Sequence, residues 1–410
     1  MNSSLPDTPH GDLSHYLQLM VGHGASDLFL SSGSAVALKI DGVMRRLHEM
    51  PLEAAHTQRL AYSVMNEAQI RAFEATMECD LSIAPPGLGR FRVNVYRQRG
   101  DVAMVVRHIN TKIASLEQLK LPAALKDLVQ LPRGLVLVVG AADSGKSTTL
   151  AAMLDHRNHH SAGHILTVED PLEFEHEHGN CIVDQREVGL DTRSFSEALR
   201  HAMREAPDVI MIGEIRDRET MEHALAYAQT GHLCISALHA GNATQAIQRI
   251  LNFFPDTAHR QVLMDLSLNL KGVVAQRLVS GAHGRLVPAV EVMLLTPGVG
   301  ALIQKGPLDA LQEAIADGAE QGMCTFDQSL YALYEEGELT AEQAMDYADS
   351  RTDLALRIEL ALRIEQHHDN GQRPSTWGLR PNITRLRPNT AEMRPDMATP
   401  PPSATGLRIA

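Results

Sequence analysis

The sequence predicts an α/β protein, a parallel sheet with helices on both faces preceded by a smaller α+β domain. Three observations predict it. From Gly134 onward, wholly apolar runs at 135–139, 165–168, 209–212 and 233–237 alternate with helical stretches. Strands apolar on both faces belong to parallel sheets covered by helices. Before residue 108 the apolar runs are broken by turn signals, and 410 residues suffice for two or three domains.

Taken in order, Leu28-Phe29-Leu30 and Val36 to Ile40 are strand-like, the second closed by the hairpin signal Asp41-Gly42. Leu52 to Ala75 spaces its apolar residues helically, and Phe91 to Tyr96 and Val102 to Val106 return to strand. Thr111 to Leu131, with Pro122 inside and Pro132 after it, is a connector that contains a helix. The α/β segment runs to about Leu295 and helices to about Glu365. Gln366 to Ala410 holds seven prolines and one aromatic, Trp377, and is expected to be a disordered tail. From Gly371 it carries six arginines against Glu392 and Asp396, which suits a solubilising tail or a segment that docks on an acidic surface. The expected domains are therefore 1–111, a linker 112–131, an α/β domain with C-terminal helices 132–365 and the tail 366–410.

Lys plus Arg is 37 and Asp plus Glu is 50, a net charge of −13, which argues against a broad electrostatic grip on nucleic acid or anionic lipid. The four cysteines, Cys79, Cys181, Cys234 and Cys324, form no CxxC pair and are expected as reduced thiols of a cytoplasmic protein. Neither a secretion signal nor a run of about 18 apolar residues is present, so work at a membrane is expected to go through partners.

The chemistry is concentrated at Gly140-Ala141-Ala142-Asp143-Ser144-Gly145-Lys146-Ser147-Thr148, which fits G-x-x-x-x-G-K-[ST] between an apolar strand and a helical run. Backbone N–H groups at such a helix start face phosphates, Lys146 reaches the β and γ phosphates, and Ser147 holds Mg²⁺. Asp143 places a negative side chain beside that anion, unless its carboxylate turns outward to cap a backbone N–H. The next strand ends in Thr167 to Glu173 with Glu169, Asp170 and Glu173, at the strand end where ligands bind in open α/β sheets. A carboxylate there can serve as general base or Mg²⁺ ligand. Glu214, after the third strand, is expected to face the metal. His232 and His239 flank the fourth strand as a pair that senses nucleotide, while His156, His159, His160, His164, His176, His178, His367 and His368 are expected at the surface. Arg90, Arg92, Arg97, Arg99 and Arg107 form a basic edge, either a charge-blunted strand edge or a set reaching phosphates across a domain or subunit boundary.

The phosphate loop, Thr167 to Glu173, Ile212 to Asp217, and Thr230-Gly231-His232 with Leu238-His239-Ala240 resemble the Walker A, Asp box, Walker B and His box of the type II/IV secretion ATPase superfamily. Asp184 to Gly189 and Ala206 to Val209 are similar to its PilT/PilU type IV pilus retraction branch. Asn252 to Pro255, Leu263 to Leu270, Thr325 to Leu330 and Ala348 to Leu354 resemble the PilU side of that branch. The resemblance covers about residues 12 to 365. It implies a PAS-like N-terminal domain, a RecA-like core and a homo-hexameric ring with ATP at subunit junctions. It further implies Glu173 as catalytic glutamate, Glu214 as the Walker B acid, and His232 and His239 as relays of nucleotide state. Arg92, in Arg90-Phe91-Arg92-Val93-Asn94, and Arg107 match family arginines that contact nucleotide. Partners implied are a PilT-like retraction ATPase and the inner-membrane pilus platform protein, with the chain peripheral at the inner membrane at the pilus base. Two departures stand out. Asp143 occupies a position where the family carries Gly, and Gly298 to Lys305 stands in place of the Ala-Ile-Arg-Asn-Leu-Ile-Arg-Glu motif of the PilT side. The second suggests dependence on a partner motor, and together they leave open a hydrolysis-poor ring that supports one.

Overall fold

The computed structural model describes residues 11–40, 42–47, 49–109, 111–282 and 284–369. The first part of the chain runs α1 (Leu13–Gly22), β1 (Asp27–Ser31), β2 (Ala37–Ile40), β3 (Val43–Arg46), α2 (Ala54–Tyr62), α3 (Glu67–Thr76), β4 (Glu78–Ile83), β5 (Phe91–Gln98) and β6 (Asp101–His108). Its six strands form one sheet in the order β3-β2-β1-β6-β5-β4, the PAS-like α+β arrangement expected. Ile40 pairs with Val43, and Gly42 between them has φ +77°, as a two-residue hairpin turn requires. The single helical stretch predicted for 52–75 is two helices. Asn66 and Gln69 form a reciprocal capping box that starts the second. The basic edge is corrected too, because β5 is paired on both sides, to β4 and to β6.

The second part runs α4 (Ala124–Gln130), β7 (Gly134–Val139), α5 (Lys146–His160), β8 (Gly163–Glu169), β9 (Cys181–Glu187), α6 (Phe195–Ala202), β10 (Val209–Glu214), α7 (Arg218–Gln229), β11 (Leu233–Leu238), α8 (Ala243–Leu251), α9 (His259–Asn269), β12 (Leu270–Ser280), β13 (Leu286–Leu294), α10 (Pro297–Lys305), α11 (Leu311–Asp317), α12 (Phe326–Glu335), α13 (Ala341–Tyr347) and α14 (Arg351–Asp369). Seven strands form a sheet in the order β13-β12-β7-β11-β10-β8-β9, parallel except for the β12–β13 hairpin. Two buried clusters lie on its opposite faces. Leu135, Leu137 and Val139 enter one, and Val136 and Val138 enter the other. This alternation is why β7 reads as a continuous apolar run. The sequence reading missed β9, β12 and β13, whose polar residues interrupt the apolar pattern.

The chain divides into a first unit ending at Glu365 and a second beginning at Gln366. The division falls where the tail was expected to begin, and α14 runs on to Asp369. The rest of that tail lies outside the described residues. Among the described residues no helix is long and apolar enough to cross a membrane.

Leu137 is fully buried at the middle of the sheet, while Leu286 is 63% exposed at the start of β13. Leu137→Ala should lower stability by about 2–5 kcal/mol in urea denaturation, and Leu286→Ala by less than about 0.5 kcal/mol.

Candidate nucleotide site

At the carboxyl end of β7 the chain turns through Gly140–Gly145 and enters α5 at Lys146. Two glycines are required sterically. A Cβ on Gly140 would overlap Ser144 Oγ and come within 2.5 Å of Gln276 O, and one on Gly145, at φ +87°, would come within 2.7 Å of Gln276 Nε2. Gln276 of β12 is in turn fixed by Thr149, whose Oγ1 donates to its Oε1 at 2.6 Å. Lys146 folds back over the loop, its Nζ donating to Ala141 O at 2.6 Å and Gly140 O at 3.2 Å. Burial pulls the Lys146 ammonium below its usual range, against the opposing pull of Glu214, Glu173 and Asp143.

Asp143 takes the left-handed region at φ +58°. A glycine at this position would have a backbone reason, since an L side chain there costs about 1 kcal/mol. Among the described residues its carboxylate accepts no hydrogen bond. It borders the cavity with Lys146 and Ser147, so the outward capping role considered for it is not formed.

Strands β8, β10 and β11 deliver the partners. The β10–β11 register shifts between Ile212 and Glu214, a bulge at Gly213 that turns Glu214 toward the loop. Glu214 Oε1 lies 2.8 Å from His239 Nε2, and its Oε2 lies 2.8 Å from Arg216 Nε. Arg216 also reaches Asp170 at 3.6 Å. Around these groups lies a cavity of about 530 Å³, bordered by the phosphate loop, Glu169, Asp170, Glu173, Glu214 and His239. It therefore brings together the loop, all three Asp-box carboxylates, Glu214 and His239. Nearby, a mostly apolar cavity of about 330 Å³ shares Gly145 and Thr148 and is walled by Leu278, Leu286, Val287 and Pro288, with the ion-paired Lys120, Arg285 and Glu338 also on its lining.

His232 does not join them. It sits at the amino end of β11, where Thr230 Oγ1 contacts its Nδ1 at 3.2 Å, and the six residues of the strand put it roughly 20 Å from His239. Arg92 and Arg107 do not border the cavity either. Arg92 pairs with Asp80 at 3.8 Å and Arg107 with Asp27 at 2.8 Å. Arg97 pairs with Glu74 and lies over the Phe73 ring. His176, expected at the surface, is corrected. It is buried against the cavity, its Nδ1 has no partner among the described residues, and burial pulls its pKa down to about 4. Glu169 is buried as well, and desolvation pushes its carboxyl up to about 7 despite donors from Thr167 and Gln185. His176 lies in the segment between β8 and β9, 7 residues beyond Glu169, and the β8–β9 register brings Gln185 to the site from 16 residues beyond it.

The residues present fit a magnesium nucleotide. Among the described residues Ser144 Oγ is buried without a partner inside a glycine cradle, at the amino end of a 15-residue helix. Beside it, one lysine faces a group of carboxylates. The first set suits phosphate and the second a hard divalent cation.

Fold and site together define a protein built to hold a phosphorylated ligand at the head of a parallel sheet. The family described as type II/IV secretion system protein matches residues 11–306. The type IV pilus ATPase PilU of Pseudomonas aeruginosa is 52% identical over 353 residues, 86% of this chain and 92% of that protein. The type IV pilus retractation ATPase PilT of the same organism is 42% identical, covering 82% of this chain and all but 2% of its own length (98%). A crystal structure of the pilus retraction motor PilT with bound ADP superposes with a TM-score of 0.78 at 39% identity, over 83% of this chain and 98% of that one. The chain belongs to the type II/IV secretion system family and, within it, to the PilU/PilT type IV pilus ATPases.

Two predictions follow from the charges. Between the ordinary value of 4.5 and about 7, folded Glu169 keeps a proton that the unfolded chain has released, so stability falls as pH rises, by about 3 kcal/mol in all. Below 6.5 the unfolded chain protonates His176 while the folded chain does not until about 4, so stability falls as pH drops. The slopes oppose each other between 4.5 and 6.5. Urea midpoints at pH 5 and 6.5 should differ little in the wild type. In His176→Gln stability should fall toward pH 6.5, and in Glu169→Gln it should rise. Asp143→Gly removes a charge and a strained φ, and calorimetry should show ATP binding about fivefold tighter.

Proposed function

We propose that this chain is an ATP-hydrolysing motor subunit that assists type IV pilus retraction, together with a PilT-like partner. The observation that carries the reading is the convergence of Glu173, Glu214 and His239 on Lys146 at the head of the sheet. Lys146 exchanges the carbonyls of Gly140 and Ala141 for phosphate oxygens, joined by N–H groups at the start of α5. Ser147, Glu214 and Glu173, directly or through water, are the residues that would hold Mg²⁺, which neutralises phosphate charge when bound. Glu173 is exposed at the cavity and acts as general base toward the attacking water. His239, on the Glu214 carboxylate, couples that acid to the end of β11. The apolar cavity beyond Gly145 suits the base of the nucleotide.

The wider reading rests on the resemblance to the relatives. Six copies would form a ring with ATP at the junctions, where Arg92, Arg107 and His232 act in the assembly. Hydrolysis would move the N-terminal domain, residues 1–111, against residues 132–365 and turn the inner-membrane platform protein, withdrawing pilin from the fibre. The ring would sit in the cytoplasm at the pilus base, touching membrane only through partners and holding no nucleic acid. One specific observation favours a second reading. The uncapped Asp143 carboxylate beside the phosphate position suits a hydrolysis-poor ring that reinforces an active motor.

The test is the Mg-ATPase rate of the purified protein. Lys146→Ala and Glu173→Gln should each lower it at least about a hundredfold while ring size by light scattering stays unchanged. A wild type no faster than Lys146→Ala, with Asp143→Gly active, would establish the second reading instead.

A further inference from the structure

The segment that carries Glu173 leaves β8 at Glu169 and returns to the sheet only at β9, and side chains hold it. Gln185 stands opposite Thr167 in the β8–β9 register. Its Nε2 donates to Glu169 Oε1 at 3.1 Å and to Phe174 O at 2.9 Å, while its Oε1 accepts from the His176 N–H at 2.7 Å. One planar amide thus ties both sides of the Glu173 segment to the neighbouring strand. The amide's orientation is fixed by its partners. Rotated by 180°, it would set NH₂ against the His176 N–H, and its oxygen against the oxygens of Glu169 and Phe174. Two donors and an acceptor at this reach are found only in glutamine, since glutamate has no donor and asparagine is one methylene shorter.

The bond to Glu169 extends the network onto the end of β8. The Glu169 carboxyl also takes a donor from Thr167 Oγ1 at 2.6 Å. Gly213, just before Glu214, passes so close that a Cβ there would come within 3.2 Å of Glu169 Cα. Glu169 is therefore packed between the segment that carries Glu173 and the bulge that carries Glu214.

We infer that Gln185 is a positioning residue for ATP hydrolysis: acting through Glu169, Phe174 and His176, it holds Glu173 in register with Glu214 and the phosphate loop. The inference rests on the reading of Glu173 as general base. Gln185 does not border the cavity, and its bonds go to Glu169, Phe174 and His176 rather than to the phosphate loop, so its removal should separate turnover from binding.

The experiment compares wild type, Gln185→Ala, the similarly sized Gln185→Met and Gln185→Ala in a Glu173→Gln background. In both single variants kcat should fall about ten- to a hundredfold, with KM for ATP within about threefold and affinity for a fluorescent ADP within about twofold. The Glu173→Gln background should show no further loss. Hydrogen exchange should speed up at least about tenfold in peptides covering 170–176 and stay unchanged in those covering 140–147. If Ala at 185 prevents folding, Met keeps the packing and removes the same three bonds. A kcat within twofold of wild type, equal losses of kcat and ADP affinity, or unchanged exchange at 170–176 would overturn the role of Gln185. A wild type that fails to outpace Lys146→Ala would sink the motor reading instead, and the exchange result would then decide whether Gln185 holds the segment.

Discussion

The head of the sheet is governed by a charge imbalance. Lys146 is partly buried among Glu214, Glu173 and Asp143, with Glu169 and Asp170 close behind. Gathering that much negative charge in a confined site is costly unless it is paired. The protein pairs part of it internally, placing Arg216 and His239 on Glu214 and Arg216 near Asp170. What is left is an anion cradle at the start of α5 facing a group of free acids. Phosphate on one side and a divalent cation on the other complete the balance, and neither alone would. The same imbalance explains why Asp143 matters, because it adds a carboxylate to the side meant for the anion.

The fold places these groups by topology. β7 lies between β12 and β11, so the loop after it is flanked on one side by Gln276 and on the other by the ends of β11, β10 and β8. Parallel strands bring all their carboxyl ends to one edge, and that edge collects Glu169, Glu214 and His239. Gly213 then lets β10 pass close enough to β8 for the two acidic ends to lie side by side.

Much of this was legible in the sequence because the demands are local. The phosphate loop is a contiguous run whose glycines answer to backbone sterics. β7, β8, β10 and β11 declare themselves by being buried on both faces. Edge strand β9 alternates buried and exposed residues, so its polar positions disguised it. Gln185 was legible only as part of the family-like run Asp184 to Gly189, because its placement comes from the β8–β9 register. His176 read as a surface residue because no short window of sequence shows that the segment between β8 and β9 buries it. His232 and His239 flank one strand in sequence and looked like a pair, yet an extended strand separates them to opposite ends of the sheet. The negative charge of Asp143 was visible at once, whereas its positive φ, the physical reason for a glycine there, was not.

The most direct measurement is a calorimetric titration of the wild-type chain with a non-hydrolysable ATP analogue, in Mg²⁺ and again in EDTA. If loop and carboxylates share a magnesium nucleotide, Mg²⁺ should tighten binding at least about tenfold. Equal affinity with and without the metal, or no binding in either buffer, would contradict the assignment of this cavity as the nucleotide site.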